Sequence, residues 1–255
     1  MVTRLTTARL RRGHWLGVLA GLAILLVAGA ALMMAGAGPA YRGELISLGE
    51  AFNLLRNGVY VAVAAVAVSI VTLLLSMLTR RSRPALIATL VIIAAAALFY
   101  MPWQYWQRAQ QVPAIHDITT DTQNPPAFEA LAEARQAAPN AVAYPGDATA
   151  QQQRAAYPHI KPLVVDKPLQ VVLAAAQAEA EETGWRIARI TDHQIEATAT
   201  TRWFGFEDDV VIRLTELDNG MQVDMRSASR LGASDVGTNA ARIEAYLKAL
   251  EARLK

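Results

Sequence analysis

EDDVVIRLTELDNGMQVDMRSASR, residues 207–230, decides the fold of the C-terminal half. Two alternating runs rich in β-branched residues flank Asn219-Gly220, the dipeptide that most strongly favours a two-residue hairpin turn. The stretch predicts strands over Asp208–Leu217 and Met221–Ser229. A turn centred on Asn219-Gly220 sets Asp218 opposite Met221, and the register follows. Leu214 then faces Met225, Ile212 faces Ser227 and Val210 faces Ser229 on one side, which reads as core. On the other side Thr215 faces Asp224, Arg213 faces Arg226 and Asp209 faces Arg230. Two guanidinium groups directly opposite one another are destabilising unless anions surround them. Glu196, Asp209 and Asp224 are the acids within reach.

Outward from the hairpin, Trp185–Thr191 and Gln194–Thr201 read as two further strands. Lys167-Pro168 opens a helix through Glu182 that Gly184 stops. Val236, Ala240, Ile243, Leu247, Leu250 and Leu254 trace a helical stripe to the C-terminus, which Ser234 or Asp235 would cap. A helix over Ala127–Ala138 comes first, with Phe128, Leu131, Ala134 and Arg135 at helical spacing. Helices before and after an antiparallel meander predict an α+β domain over 127–255, one sheet of about four strands with helices packed on one face.

The first hundred residues are of another kind. Residues 15–35, 59–78 and 85–101 contain no Asp, Glu, Lys or Arg, and each run approaches the roughly 20 residues a helix needs to cross a bilayer. Arg4, Arg9, Arg11 and Arg12 precede the first run, and Arg80, Arg81 and Arg83 separate the second from the third. Positive residues in short flanks stay on the cytoplasmic side, so the N-terminus and the 79–84 connector are expected inside and everything after Met101 outside. A cleaved signal peptide ending near Ala35-Gly36-Ala37 competes for the first run. The run exceeds the usual core of roughly 7–15 residues, which favours an uncleaved helix. Residues 38–57 read as a short outer loop with an amphipathic stripe of Leu45, Leu48, Phe52 and Leu55 on the membrane surface. Residues 102–126 read as an interfacial aromatic anchor (Trp103, Tyr105, Trp106) leading into an extended linker rich in proline.

Charge supports this division. Residues 1–101 carry nine Arg against two Glu, a net of +7, while residues 102–255 carry fifteen Lys or Arg against twenty Asp or Glu, a net of −5. The basicity of the whole chain belongs to membrane topology, and no nucleic-acid partner is expected. With no cysteine in the sequence, thiolate metal sites, thiol nucleophiles and disulfides are excluded. No phosphate-binding loop, dinucleotide fingerprint, nucleophile elbow or zinc-protease motif occurs, and neither cofactor nor metal is expected.

One polar constellation remains. Arg226-Ser227-Ala228-Ser229-Arg230 runs into the last helix, whose Asn239 and Arg242 lie beside its apolar stripe. With Arg213 these make a candidate site for a phosphate or carboxylate: Arg213, Arg226, Ser227, Ser229, Arg230, Asn239 and Arg242. The competing reading is a self-neutralised network in which Glu196, Asp209, Asp224 and Asp235 satisfy the arginines. His116-Asp117 with Asp121 reads as turn chemistry rather than a metal site. Glu207-Asp208-Asp209 could serve as an acid/base pair, although nothing in the spacing supplies a partner. Trp203-Phe204-Gly205-Phe206 reads as a bend with rings in the core, or as a membrane-proximal aromatic tip.

Several segments together resemble the bacterial domain-of-unknown-function family 1499: Ile115-His116-Asp117-Ile118-Thr119-Thr120-Asp121, Asn124-Pro125-Pro126, Tyr157-Pro158, Gly184-Trp185, Ile195-Glu196-Ala197, residues 203–209, Val223-Asp224-Met225-Arg226-Ser227, Ser229-Arg230, and Asp235-Val236-Gly237 with Asn239, Arg242 and Ile243. The similarity spans about residues 114–252. It implies an envelope protein of a family common in Gram-negative bacteria, for which no activity, cofactor or catalytic residue can be carried over. The expectation is an inner-membrane protein with a periplasmic binding or accessory module. Its partners would be the lipid bilayer, an anionic small molecule or lipid headgroup, or other envelope proteins. The rivals are a carboxylate-dependent hydrolase and a structural scaffold for membrane proteins.

Overall fold

The structure, a computed structural model, describes residues 3–255, with side chains from His14 onward. The first arginine cluster therefore lies outside the described side chains. The chain divides into two compact units, 1–105 and 106–255.

The first unit is helical. Helices α1 (Thr3–Arg42), α2 (Leu48–Leu78) and α3 (Ser82–Gln111) each contain a stretch long and apolar enough to cross a membrane. Helix α1 packs on α2 through small residues: Ala20, Ala23, Ala30 and Ala37 on one, Ala51, Ala62 and Ala65 on the other, all fully or almost fully buried. Gly58 marks the closest approach, since a Cβ there would lie 2.6 Å from Met34 Cγ and 3.3 Å from the Ala30 carbonyl. The stretch read as a surface loop, 38–57, is mostly helix. α1 continues to Arg42, and α2 starts at Leu48 behind a complete capping box between Ser47 and Glu50. The amphipathic spacing there was the first turns of α2, set by the cap.

The second unit is α+β. Its elements are β1 (Asp117–Thr119), α4 (Ala132–Gln136), α5 (Asp147–Ala156), β2 (Leu163–Val165), α6 (Leu169–Glu182), β3 (Arg186–Ile190), β4 (Gln194–Thr200), β5 (Glu207–Leu217), β6 (Gly220–Ser229) and α7 (Thr238–Leu254). The antiparallel sheet has six strands rather than about four, in the order β1-β6-β5-β4-β3, with β2 also paired to β6. Residues 102–126 are correspondingly not one extended linker. Helix α3 runs to Gln111 through Pro102, and β1 lies inside the remainder.

The hairpin register differs from expectation by two residues. Leu217 pairs with Gly220, so the turn is Asp218-Asn219, and Arg213 lies opposite Asp224 rather than Arg226. Asp209 lies opposite Ala228, not Arg230. The cause is at Gly220: its φ is 111°, and a Cβ there would sit 2.2 Å from the Val165 carbonyl oxygen. Glycine is needed there twice over, for the positive φ that follows the Asp218-Asn219 turn and for the close approach of β2. A slip of two preserves which face each side chain joins.

One face of the sheet carries the main core. Ile195, Val210, Ile212, Leu214, Val223 and Met225 pack against Val172, Ala176 and Ala180 of α6 and Ala240, Ile243, Tyr246 and Leu250 of α7. Trp185 stacks on Tyr246 at 4.9 Å, and the buried Tyr246 hydroxyl donates to the Ala176 carbonyl at 2.6 Å. The opposite face has only a small apolar patch of Phe128, Leu131, Val211 and Ala228, with Val142 against it. The rest of that face is ionic. The helix expected over 127–138 shrinks to α4, because the preceding residues are drawn down onto this ionic face.

Candidate functional site

Strand alternation splits the seven candidate residues between the two faces. Arg213, Arg226 and Arg230 project to the ionic face, while Ser227 and Ser229 project to the helix-covered face and meet Asn239 and Arg242. They do not form one site, which corrects the expectation of a single anion pocket.

On the ionic face Arg226 is almost fully spent. Its Nε and Nη2 donate to the two oxygens of Asp117 at 3.0 and 2.8 Å, and further N–H groups donate to the carbonyls of Pro126 and Val142. Its flat faces lie 4.6 Å from the Phe128 ring centre and 5.6 Å from that of Tyr144. Both partners are buried: the side chains of Arg226 and Asp117 are 2% and 1% exposed. The Tyr144 hydroxyl is buried without a hydrogen-bond partner among the described residues, and desolvation, helped by the charge of Asp117, pushes its pKa up to about 12.

Arg135, from α4, is fully buried with its guanidinium 4.7 Å from the Phe128 ring centre. It donates to Asp209 at 3.2 Å and to the carbonyls of Ala228 and Ala141. Burial lowers its pKa, and the charges of Asp209 and Asp117 oppose that shift. Asp209 also accepts from Thr198 and from two N–H groups of Arg230, which further bonds Glu207. These bonds, led by that to Asp209, raise the pKa of Arg230. Arg213 bridges Asp224 at 3.0 Å and Asp121 at 3.1 Å. Glu196, 1% exposed, accepts the main-chain N–H groups of Glu129, Ala130 and Leu131 at 2.9–3.1 Å.

On the helix-covered face, Ser227 donates to Asn239 Oδ1 at 2.7 Å, and Asn239 Nδ2 reaches Ser229 Oγ and the His116 carbonyl, both at 3.0 Å. Arg242 donates to Ser227 and Asn239 and forms an ion pair with Asp208. Asp235 behaves as a cap in place of a ligand: its two oxygens accept the N–H groups of Gly237 at 2.8 Å and Asn239 at 2.9 Å at the start of α7. Desolvation nevertheless raises its pKa from the ordinary aspartate value, with Asp208 adding to the effect.

The profile of the family described as "Protein of unknown function (DUF1499)" matches residues 117–250, from the start of β1 to the last turns of α7. The chain belongs to that family. The matched segment covers all six strands and both face networks, so the ionic architecture lies wholly within the DUF1499 region. No curated protein matches the chain.

Glu207, Asp208 and Asp209, weighed for acid/base work, are each bound to an arginine: Glu207 to Arg186 and Arg230, Asp208 to Arg242, Asp209 to Arg135 and Arg230. His116 and Asp121 do not come together as ligands. Asp121 is engaged with Arg213, and no group of three His, Asp or Glu suited to a metal ion occurs among the described residues. The aromatic bend holds Phe204 and Phe206 stacked at 4.9 Å, with Phe204 buried and Trp203 44% exposed. Sequence reasoning missed Arg135 and the Asp117–Arg226 pair. Asp117 had only its own local signal, a histidine neighbour in a proline-bounded stretch, which points to a turn.

Proposed function

We propose that this protein is an inner-membrane envelope protein with a cytoplasmic N-terminus, and that its periplasmic DUF1499 domain is an accessory module working through its outer surface. The observation that carries the reading is the inward engagement of the ionic groups. The acids that could act as a general base and the arginines that could grip an anion are already bound to partners within the domain. A carboxylate hydrolase needs an acid freed for proton transfer, and Glu207, Asp208 and Asp209 are not free in this sense.

The arginine asymmetry between the two halves of the chain supports the orientation. Alkaline phosphatase fused after Lys255 is expected to be active in intact cells, and fused within 79–84 to be inactive. The reverse pattern would overturn the topology.

A second reading, an anionic small molecule or lipid headgroup at Arg213, is favoured by one observation. This side chain remains 23% exposed, and its Nε has no hydrogen-bond partner among the described residues. Native mass spectrometry of the full-length protein, released gently from its own membrane, separates the two. A protein-sized adduct supports the accessory reading. A small anionic mass that Arg213→Ala removes supports the second. An unliganded mass throughout counts against both.

A further inference from the structure

We propose that residues 124–142 form a strap that opens and closes over the ionic face as one cooperative unit, without unfolding of the sheet beneath. The argument starts from what holds this segment down. Among the described residues a single main-chain hydrogen bond joins it to the rest of the domain, from Asn140 N–H to the Arg230 carbonyl at 3.1 Å. The other polar attachments come from side chains. Arg213 reaches the Asn124 carbonyl, Arg226 reaches those of Pro126 and Val142, and Gln194 reaches that of Ala127. Glu196 holds three successive N–H groups, Asn140 Nδ2 bonds the carbonyls of Ser229 and Gly232, and Arg135 bonds Asp209 and the Ala228 carbonyl. The apolar seal is limited to Phe128, Leu131 and Val142 on Val211 and Ala228.

The two faces of the sheet therefore respond differently to opening. Lifting α7 from its face would expose Ile212, Met225 and their neighbours to water, at the full hydrophobic cost. Lifting the strap hydrates Asp117, Arg226, Asp209 and Arg135, returning the desolvation penalty those charges bear when buried. Segments with few apolar contacts and side-chain-dependent attachments form the low-stability end of a fold. The attachments are linked, because Arg226 holds both ends of the strap and Arg135 ties its helix to its own return at Ala141. Cooperative opening follows from that linkage. The open state bares Asp117, Arg226 and Asp209 together, so access to the ionic face is gated by the strap.

Hydrogen exchange of the full-length protein in detergent micelles tests this. The amides of Glu129, Ala130, Leu131 and Asn140 are expected to exchange at a common rate well above that of Ile212 and Met225. Glu196→Gln replaces an acceptor of several N–H groups with a partly opposed amide. It is expected to speed the four strap amides by about tenfold or more, the effect of losing charge-assisted hydrogen bonds, while Ile212 and Met225 stay unchanged. Strap amides as slow as those of β5 and β6 in the wild type would overturn the proposal. So would acceleration of strap and sheet alike by Glu196→Gln. If that variant fails to fold, Asn140→Ala at the far end of the strap gives the same readout. Acceleration confined to Asn140 and its neighbours, with Glu129–Leu131 untouched, would show separate attachments rather than one unit.

Discussion

Along β6 the side chains of Val223 and Met225 enter one layer, and those of Asp224 and Arg226 enter the other. The residues of both layers are almost equally inaccessible to water. On the α6/α7 side, burial is achieved by matching apolar surfaces, and the polar insertion of Ser227, Asn239 and Arg242 sits at the margin. On the strap side, burial is achieved by pairing: Asp117 with Arg226, Asp209 with Arg135 and Arg230, Asp224 with Arg213, and Glu196 with main-chain amides. The first mode tolerates loss of a methyl group at modest cost. The second fails when either partner is removed, because the remaining charge has no water and no counterpart.

That contrast can be broken most directly at Arg226. Arg226→Ala leaves Asp117 unpaired together with the Pro126 and Val142 carbonyls, and a loss of about 3–5 kcal/mol in domain stability is expected. Arg226→Met combined with Asp117→Leu removes both charges, and thermal unfolding of the detergent-solubilised protein should find the double variant more stable than Arg226→Ala. If the double variant is the worse of the two, an unpaired Asp117 is not what makes Arg226→Ala costly, since both variants lose the carbonyl contacts equally. A smaller effect, about 0.5–1.5 kcal/mol, is expected for Ile212→Val on the apolar face. Its midpoint shift should be the same in low and high salt. A salt-dependent shift at Ile212 would mean that the two faces do not fail independently.

The smallest effect is expected at Asp235. Its folded pKa lies above the unfolded value, so its contribution to stability is fully present below the unfolded pKa and is lost as pH rises through the folded one. Asp235→Asn keeps one oxygen for the two α7 amides, turns an NH2 towards the other, and removes the buried charge, so gain and loss offset one another. Stability at pH 7 is therefore expected to change little, asparagine ranking with aspartate as a cap. The decline of stability as pH rises above the ordinary aspartate pKa should flatten in this variant, as read from unfolding midpoints across the acid range. A marked drop at pH 7 would make the carboxylate charge, rather than its shape, the stabilising feature of the cap.

How far this was legible in the sequence depends on how local each signal is. Strands β3 to β6 were readable from alternation and flanking turn residues, and the three long apolar runs marked the helices of the first unit. The face of each β5 and β6 residue was also readable, because the register slip of two leaves parity intact. The slip itself was not. Asn219-Gly220 signals a turn on local grounds, whereas Gly220 also has to admit β2, which crosses at Val165 more than fifty positions earlier in the chain. β1 and β2 are three-residue strands whose polar or proline-bounded sequences carry no period of their own. Asp117 and Thr119 look like loop residues until Arg226 and Gln153 are seen to bury them. The arginines were recognised as a group, but their partners were not: Arg135 sat within a helical pattern that gave it no ionic meaning.

The position of β6 has a consequence for the order of assembly. This strand is the shared neighbour of β5, β1 and β2, and it is the last strand to emerge from the ribosome. Its pairing with β5 closes across two residues, but the Asp117–Arg226 contact spans 109 positions. The loop entropy of that closure must be met before its contacts contribute anything. β1 therefore waits without its partner while almost the whole domain is made, and only the arrival of residues 220–229 gives it one. A chain that stops before β6 would leave Asp117 without Arg226 and β1 without its strand partner, with only the Gln153 amide on the main chain of Thr119. The first strand of the domain is thus paired only once its last has been made.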